Sequence, residues 1–303
     1  MIEEKYVPFH EYQTYVRIAK ADENQNKKAI PVLLLHGGPG STHNYFEVLD
    51  PLAKQRPVIS YDQLGCGNSY VDHHPELWNL NTWMEELDNV IQSLHLKKFH
   101  LLGQSWGGML ALAYALNKKP EGLTSLILSS TLSSSQLWGK EQRRMLKYMS
   151  QEEQDAIRTA EETGNWQDER AQNAIAHYMK LHCADIKDSD PECLRREKRS
   201  GTESYLTAWG PNELTPQGTL KDFDVTDRLA EIQVPCLIIS GTDDLCTPLI
   251  AKTMYDHLPY ARWELFANAR HMVFAEYTEK YLQLLSDWYH ETDTGMIRNE
   301  SVQ

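Results

Sequence analysis

The chain has 303 residues, 41% hydrophobic, 10% aromatic and 24% charged, with 30 Lys and Arg against 43 Asp and Glu for a formal charge of −13. Gly (16) and Pro (13) are too sparse for a fibrous or low-complexity chain. The acidic excess argues against a nucleic-acid or anionic membrane surface, both of which are held by clustered Lys and Arg.

The N-terminus, Met1 to Tyr6, is acidic and has no secretory leader pattern. No apolar run reaches the roughly 18 residues that span a bilayer. Cys66, Cys183, Cys193, Cys236 and Cys246 form an odd set without a CxxC, which reads as reduced thiols and a cytoplasmic location.

Tyr12 to Ile18 alternates in polarity, as an antiparallel edge strand does. Val32 to Leu35, Val58 to Tyr61, Phe99 to Leu102, Leu126 to Leu128, Cys236 to Ile239 and Trp263 to Phe266 are almost continuously apolar. Strands buried on both faces of a parallel sheet require that pattern. Thr82 to Leu94 and Gly107 to Leu116 carry helical spacing between them. Strand and helix alternation predicts an α/β, doubly wound, mostly parallel sheet. One interval breaks the rhythm, because about a hundred residues separate Ser130 from Pro235 where a crossover needs little more than a dozen. Within it, Trp138 to Arg199 holds 13 acidic and 12 basic residues, with helical spacing at Met145, Tyr148, Met149 and at Ile175, Tyr178, Met179. An inserted helical cap is expected at residues 131–220, with a catalytic domain built from 1–130 and 221–303. The ends of the chain, the first few residues and the polar tail after His290, are expected to be flexible.

Gly103-Gln104-Ser105-Trp106-Gly107 stands where a strand gives way to a helix. A G-x-S-x-G in that context is a nucleophile elbow, whose glycines leave room for a strained turn presenting the serine hydroxyl. His36-Gly37-Gly38-Pro39-Gly40 follows an earlier strand. Such a loop supplies one N–H of an oxyanion hole and the residue after the nucleophile supplies the other, here Gly38 and Trp106. A serine nucleophile needs a base, and the base an orienting carboxylate, in the chain order Ser, acid, His. Asp243 and Asp244 lie at the end of the Cys236 strand, and spacing alone does not choose between them; the other is expected to cap the helix at Thr247-Pro248. His271 follows the Trp263 strand and is the base of choice, since His257 and His290 fall in helix-like stretches. No zinc-type pair of ligands is matched by a second, and no Gly-rich nucleotide motif stands at a strand-to-helix step, so neither metal nor cofactor is expected. Tyr61 to Ser69 reads as a structural turn.

These residues resemble those of bacterial proline iminopeptidases in the α/β-hydrolase fold. The resemblance rests on His36 to Gly40, Tyr61-Asp62-Gln63 with Gly65, Gly67 and Ser69, Gly103 to Gly108, Gly210-Pro211-Asn212-Glu213, and Gly241 to Pro248 with His271, and spans about Tyr6 to Tyr289. It implies a Ser105, Asp244, His271 triad and release of N-terminal proline from small peptides through a prolyl-enzyme. It also implies that Glu213 holds the substrate amine. Some relatives carry an acid after the triad Asp where this chain has Leu245, and Glu203 is the substitute second carboxylate. Trp106, Phe46 and Tyr205 are the aromatic candidates for a proline pocket. The alternatives on the same fold are a carboxylesterase or amidase, and a non-catalytic binding protein. Alkylation of Cys66 or Cys246 is a further candidate route to blocking the site.

Overall fold

The computed structural model describes residues 1–21 and 29–299. Its strands are β1 Ile2–Phe9, β2 Tyr12–Ala19, β3 Val32–Leu35, β4 Val58–Tyr61, β5 Phe99–Gln104, β6 Leu123–Ser129, β7 Cys236–Gly241 and β8 Ala261–Phe266. They pair in the order β1-β2-β4-β3-β5-β6-β7-β8. The β1–β2 and β2–β4 pairs are antiparallel and the five remaining pairs are parallel.

Alternate residues of the apolar strands enter two separate cores. Leu33, Leu35, Leu101, Leu126, Leu128 and Ile238 pack on one face, and Val32, Leu34, Leu102, Ile127, Leu237 and Ile239 on the other. Each fully buried Leu or Ile side chain contributes about 2 kcal/mol. The helices are, in chain order, α1 Leu80–Ser93 and α2 Trp106–Lys118, then α3 Ser135–Leu146, α4 Gln151–Thr163, α5 Glu169–His182, α6 Glu192–Arg195 and α7 Thr202–Ala208, and finally α8 Pro248–His257, α9 Val273–Glu276 and α10 Thr278–Asp293. Of these, α1, α2, α8, α9 and α10 pack against the sheet. Local chemistry sets several boundaries. Asn79 accepts from the amides of Asn81 and Thr82 to start α1, and Ser150 with Glu153 forms a reciprocal capping box on α4.

Helices α3 to α7 all fall between β6 and β7. The chain departs and returns through one narrow stalk: Ser135 N donates to Phe223 O (2.8 Å), Val225 N to Ser133 O (2.9 Å), and Ser134 Oγ to Asp224 Oδ2 (2.7 Å).

Five local expectations change. Tyr12–Ala19 is internal, because β1 pairs along its whole length and takes the edge itself. The first residues are therefore ordered as a strand, its outer face charged and exposed at Glu4. The tail after His290 continues α10 to Asp293, with residues 300–303 outside those described. Met145 and Met149 are buried as their spacing requires, but Tyr148 is 81% exposed at the end of that turn. Finally, β8 is only partly covered, since it is the other edge of the sheet.

The chain steps from β3 outward to β4 and then back across to β5, so the sheet changes direction between β3 and β5. Ligand crevices form at such a switch point, outside the carboxyl ends of the strands. The loops that leave β3 and β5 are His36 to Gly40 and the turn at Ser105.

Candidate active site

Ser105 joins the end of β5 to the first residue of α2 with φ 56° and ψ −124°, a strained backbone for any residue but glycine. Neighbours hold it there: its amide donates to Ser129 O of β6 (3.0 Å), and Thr131 Oγ1 donates to its carbonyl (2.6 Å). The flanking glycines are needed for space. A Cβ on Gly103 would lie 2.2 Å from Gly107 O, and one on Gly107 would lie 2.0 Å from Leu35 O. Such contact lets α2 start directly against β3.

The loop after β3 is fixed from beneath. Gly37 N donates to Tyr45 Oη (2.5 Å), which in turn donates to Gln104 Oε1 (2.9 Å). His36 Nδ1 donates to Gly37 O (2.8 Å), while its Nε2 accepts from Gln63 N (3.0 Å). Burial lowers the His36 pKa to about 4, which keeps this one tautomer at neutral pH. Gln63 also donates from Nε2 to His36 O (2.9 Å) and accepts from Trp106 Nε1 (2.7 Å). The Tyr61-Asp62-Gln63 segment is thus a brace between the glycine loop and the elbow. Buried Asp62 completes it by accepting from His43 and Asn68 amides. Gly38 has φ +119°, and a Cβ there would meet Gly40 N at 2.5 Å. Among the described residues, no carbonyl or side chain accepts from the amide of Gly38 or of Trp106. Both are available to a ligand oxygen.

On the far side of the crevice, Asp244 Oδ1 accepts from His271 Nδ1 at 2.7 Å, with the two residues 1% and 5% exposed. The carboxylate is further held by Cys246 N (2.8 Å), Ser130 Oγ (2.6 Å) and Gly241 N (3.2 Å). Asp243 is exposed and caps nothing, because Thr247 begins α8 without a side-chain bond to its amides. The end of α5 clasps both loops: His182 O accepts from the amides of Leu245 (3.3 Å) and His271 (3.0 Å), and His182 Nδ1 donates to Asp243 O (2.8 Å). His257 and His290 are exposed on α8 and α10.

Ser105 and His271 line one cavity of about 440 Å³ with Gly37 to Ser41, Tyr45, Tyr205 and Glu213. Beside it is a narrow recess walled by Trp106, Met109, Leu132, Trp138, Trp209 and Glu213. Glu213 belongs to both, half-buried and enclosed by the surrounding protein. Its Oε1 accepts from Tyr205 Oη (2.7 Å) and Trp138 Nε1 donates to its backbone carbonyl (2.7 Å). Burial raises its pKa above the usual carboxylate range, opposed by the Tyr205 bond and by His271. No basic residue pairs with it among those described. The site therefore holds a desolvated carboxylate in the same cavity as Ser105, and a ligand cation would satisfy it.

The other anchoring candidate is not brought here. Glu203 accepts from the amides of His73 (2.5 Å) and His74 (3.1 Å) and from Trp78 Nε1 (3.1 Å), so its carboxylate is used to fasten α7 to the loop before α1. Leu245 is buried and lines the cavity, leaving Glu213 the single carboxylate in its wall among the described residues. Phe46 packs against Tyr45 and Phe274 in the core and forms no part of the wall. Cys66 and Cys246 are both buried, with burial raising their thiol pKa, and neither lines the cavity, whereas Cys183 does. Among the described residues no group of three His, Cys, Asp or Glu side chains could hold a metal ion.

Sequence reading missed Ser130, Tyr45, Trp138, Trp209 and His182. Ser130 carries no motif, and its role depends on a positive φ of 46° that turns its hydroxyl toward β7. The two tryptophans come from distant parts of the segment between β6 and β7, and only folding puts their rings 6.0 Å apart.

Residues 30–277 match the family model for the alpha/beta hydrolase fold. Among curated relatives, the proline iminopeptidase of Clostridium botulinum (strain Hall) is 55% identical over 294 residues, covering 96% of this chain and 99% of the relative. That of Clostridioides difficile (strain 630) is 52% identical with the same coverage of each. The crystal structure of proline iminopeptidase from Mycobacterium smegmatis superposes with a TM-score of 0.86 at 30% identity, over 97% of this chain and 100% of that one. With full-length identity above half and a shared fold, the chain belongs to the proline iminopeptidases, serine peptidases of the alpha/beta hydrolase fold.

Proposed function

We propose that Ser105, His271 and Asp244 act as nucleophile, base and orienting acid in removing N-terminal proline from short peptides. Ser105 Oγ attacks the prolyl carbonyl while His271 takes its proton through Nε2, the nitrogen left free by the bond to Asp244. The amides of Gly38 and Trp106 stabilise the oxyanion. Collapse breaks the C–N bond, His271 gives the proton to the departing amine, and water then cleaves the prolyl ester by the same steps in reverse roles. The Glu213 carboxylate, which lines the main cavity, suits the charged secondary amine of an N-terminal proline, and the tryptophans around it supply an apolar wall. Residues 131–220 serve as a cap over 1–130 and 221–303, since Met179, Cys183, Tyr205 and Glu213 all reach the cavity from that segment. Five unpaired cysteines favour the cytoplasm as the place of action.

The observation that carries this reading is Glu213, a carboxylate without a cationic partner, in the same cavity as Ser105 and His271. An α-amine has a reference pKa of about 8 and is mostly protonated at neutral pH, so it supplies the missing charge. Prolyl p-nitroanilide, its N-acetyl derivative and a p-nitrophenyl ester test it. The free prolyl anilide is expected to be cleaved and the acetylated one spared. E213Q is expected to lower kcat/KM on the prolyl anilide by about a hundredfold, with much less effect on the ester. Cleavage of the acetylated anilide, or equal losses on anilide and ester, would replace the aminopeptidase by a general esterase or amidase.

A further inference from the structure

Two side chains of fixed formal charge line the main cavity, Glu213 and Lys198. Each is shared with a different neighbouring pocket. Glu213 is shared with the narrow tryptophan recess, whereas Lys198 is shared with a second, polar cleft of about 780 Å³ lined by residues of β1 and β2, by Asp62 and by residues of segments 42–47, 67–70 and 196–199. Lys198 is half-buried, its ammonium 5.3 Å from the centre of the Tyr45 ring, the same tyrosine that holds the Gly37 amide. It forms no ion pair with a described carboxylate. Glu47, whose field reaches it, is committed to Arg196 at 2.9 Å. Desolvation lowers the Lys198 pKa, which marks an ammonium short of counter-charge.

A chain of net charge −13 repels carboxylates in general, so a cation inside its cavity has a local use. A short peptide is a zwitterion, with an ammonium at one end and a carboxylate at the other. The cavity presents both complementary charges, Glu213 beside the tryptophan recess and Lys198 beside the polar cleft.

We propose that Lys198 binds the C-terminal carboxylate of the departing portion of a short peptide, making this a site selective for di- and tripeptides. This rests on the aminopeptidase reading, in which Glu213 fixes the amine and the leaving group extends away from it. The charge-assisted contact acts on free-acid substrates alone, so selectivity appears as a ratio between a peptide and its amide.

The experiment measures kcat/KM for Pro-Ala, Pro-Ala-Ala, their C-terminal amides and Pro-Asp amide, in the wild type, K198M and K198R. The wild type is expected to favour the acid over the amide by about tenfold for at least one of the two lengths. K198M is expected to bring that ratio close to one, mainly through KM, and K198R to retain most of it. An acid-to-amide ratio near one in the wild type, or one unaltered in K198M, overturns the proposal. So does a preference for Pro-Asp amide over Pro-Ala amide that exceeds the acid-to-amide ratio, because the carboxylate read would then be a side chain. Prolyl p-nitroanilide, which has no carboxylate, separates the two levels: no wild-type turnover of it sinks the aminopeptidase reading itself, and turnover with an unaltered ratio in K198M sinks only the role of Lys198.

Discussion

Ser130 shows what a single hydroxyl contributes at the residue scale. Asp244 accepts four hydrogen bonds in a buried position, and the Ser130 bond is the shortest of them at 2.6 Å. A hydrogen bond to a charged group is worth about 1.5–3 kcal/mol, and its loss leaves a buried carboxylate oxygen underserved. S130A is therefore expected to lower kcat on prolyl p-nitroanilide by about tenfold with KM changed less than twofold. A kcat equal to the wild type would show that the three remaining donors suffice to hold Asp244. The motif residues Ser105, Gly38 and His271 were legible in the sequence because their chemistry ties them to fixed places in a strand-loop-helix grammar. Ser130 was not, since its use depends on a neighbour 114 residues away.

Among the elements, α2 and β5 bear most directly on the site. The helix begins within van der Waals reach of β3, and glycine at 107 makes that approach possible. G107A would put a methyl group into the Leu35 carbonyl, against backbone that cannot swing aside. Overpacking of this kind costs about 1–3 kcal/mol, so melting is expected several degrees lower, and displacement of the Trp106 amide is expected to reduce kcat as well. An unchanged Tm measured by calorimetry would mean that α2 slides without penalty. The strands of the central sheet were readable because burial on both faces removes polar residues altogether. Of the edges, β8 was read as a strand but taken as buried on both faces, and β1 was not read, because it is charged and polarity alone does not distinguish an edge strand from a loop. Cap helices could be expected from spacing, but not the clasp of α5 on the loops bearing Asp244 and His271.

At the scale of the whole molecule, buried Glu86 ties α1 to the sheet and to the bracing loop. It accepts from Thr14 Oγ1 (2.6 Å) and from Leu64 N (2.9 and 3.0 Å), and burial raises its pKa from 4.5 to about 7. Between those values the folded chain keeps a proton that the unfolded chain releases. Stability contributed by this group therefore falls as pH rises from 4.5 to 7, by about 3 kcal/mol in all, and is level above. E86Q cannot ionise and keeps an acceptor for both donors. Its Tm relative to the wild type is expected to climb between pH 5 and pH 8, and a constant difference would refute the shift. Composition, apolar runs and motifs by themselves marked the sheet class, the elbow, the glycine loop and His271, because each follows from local chemistry and chain order, whereas they left Asp243 and Asp244 undecided. Tertiary structure alone decided that Glu203 is a fastener, that Glu213 shares a cavity with Ser105 and has no cationic partner among the described residues, and that Lys198 lines the same cavity. A charged side chain is the same letter in solvent, in a brace or in a pocket, and only packing fixes which carboxylate is desolvated and left for a ligand.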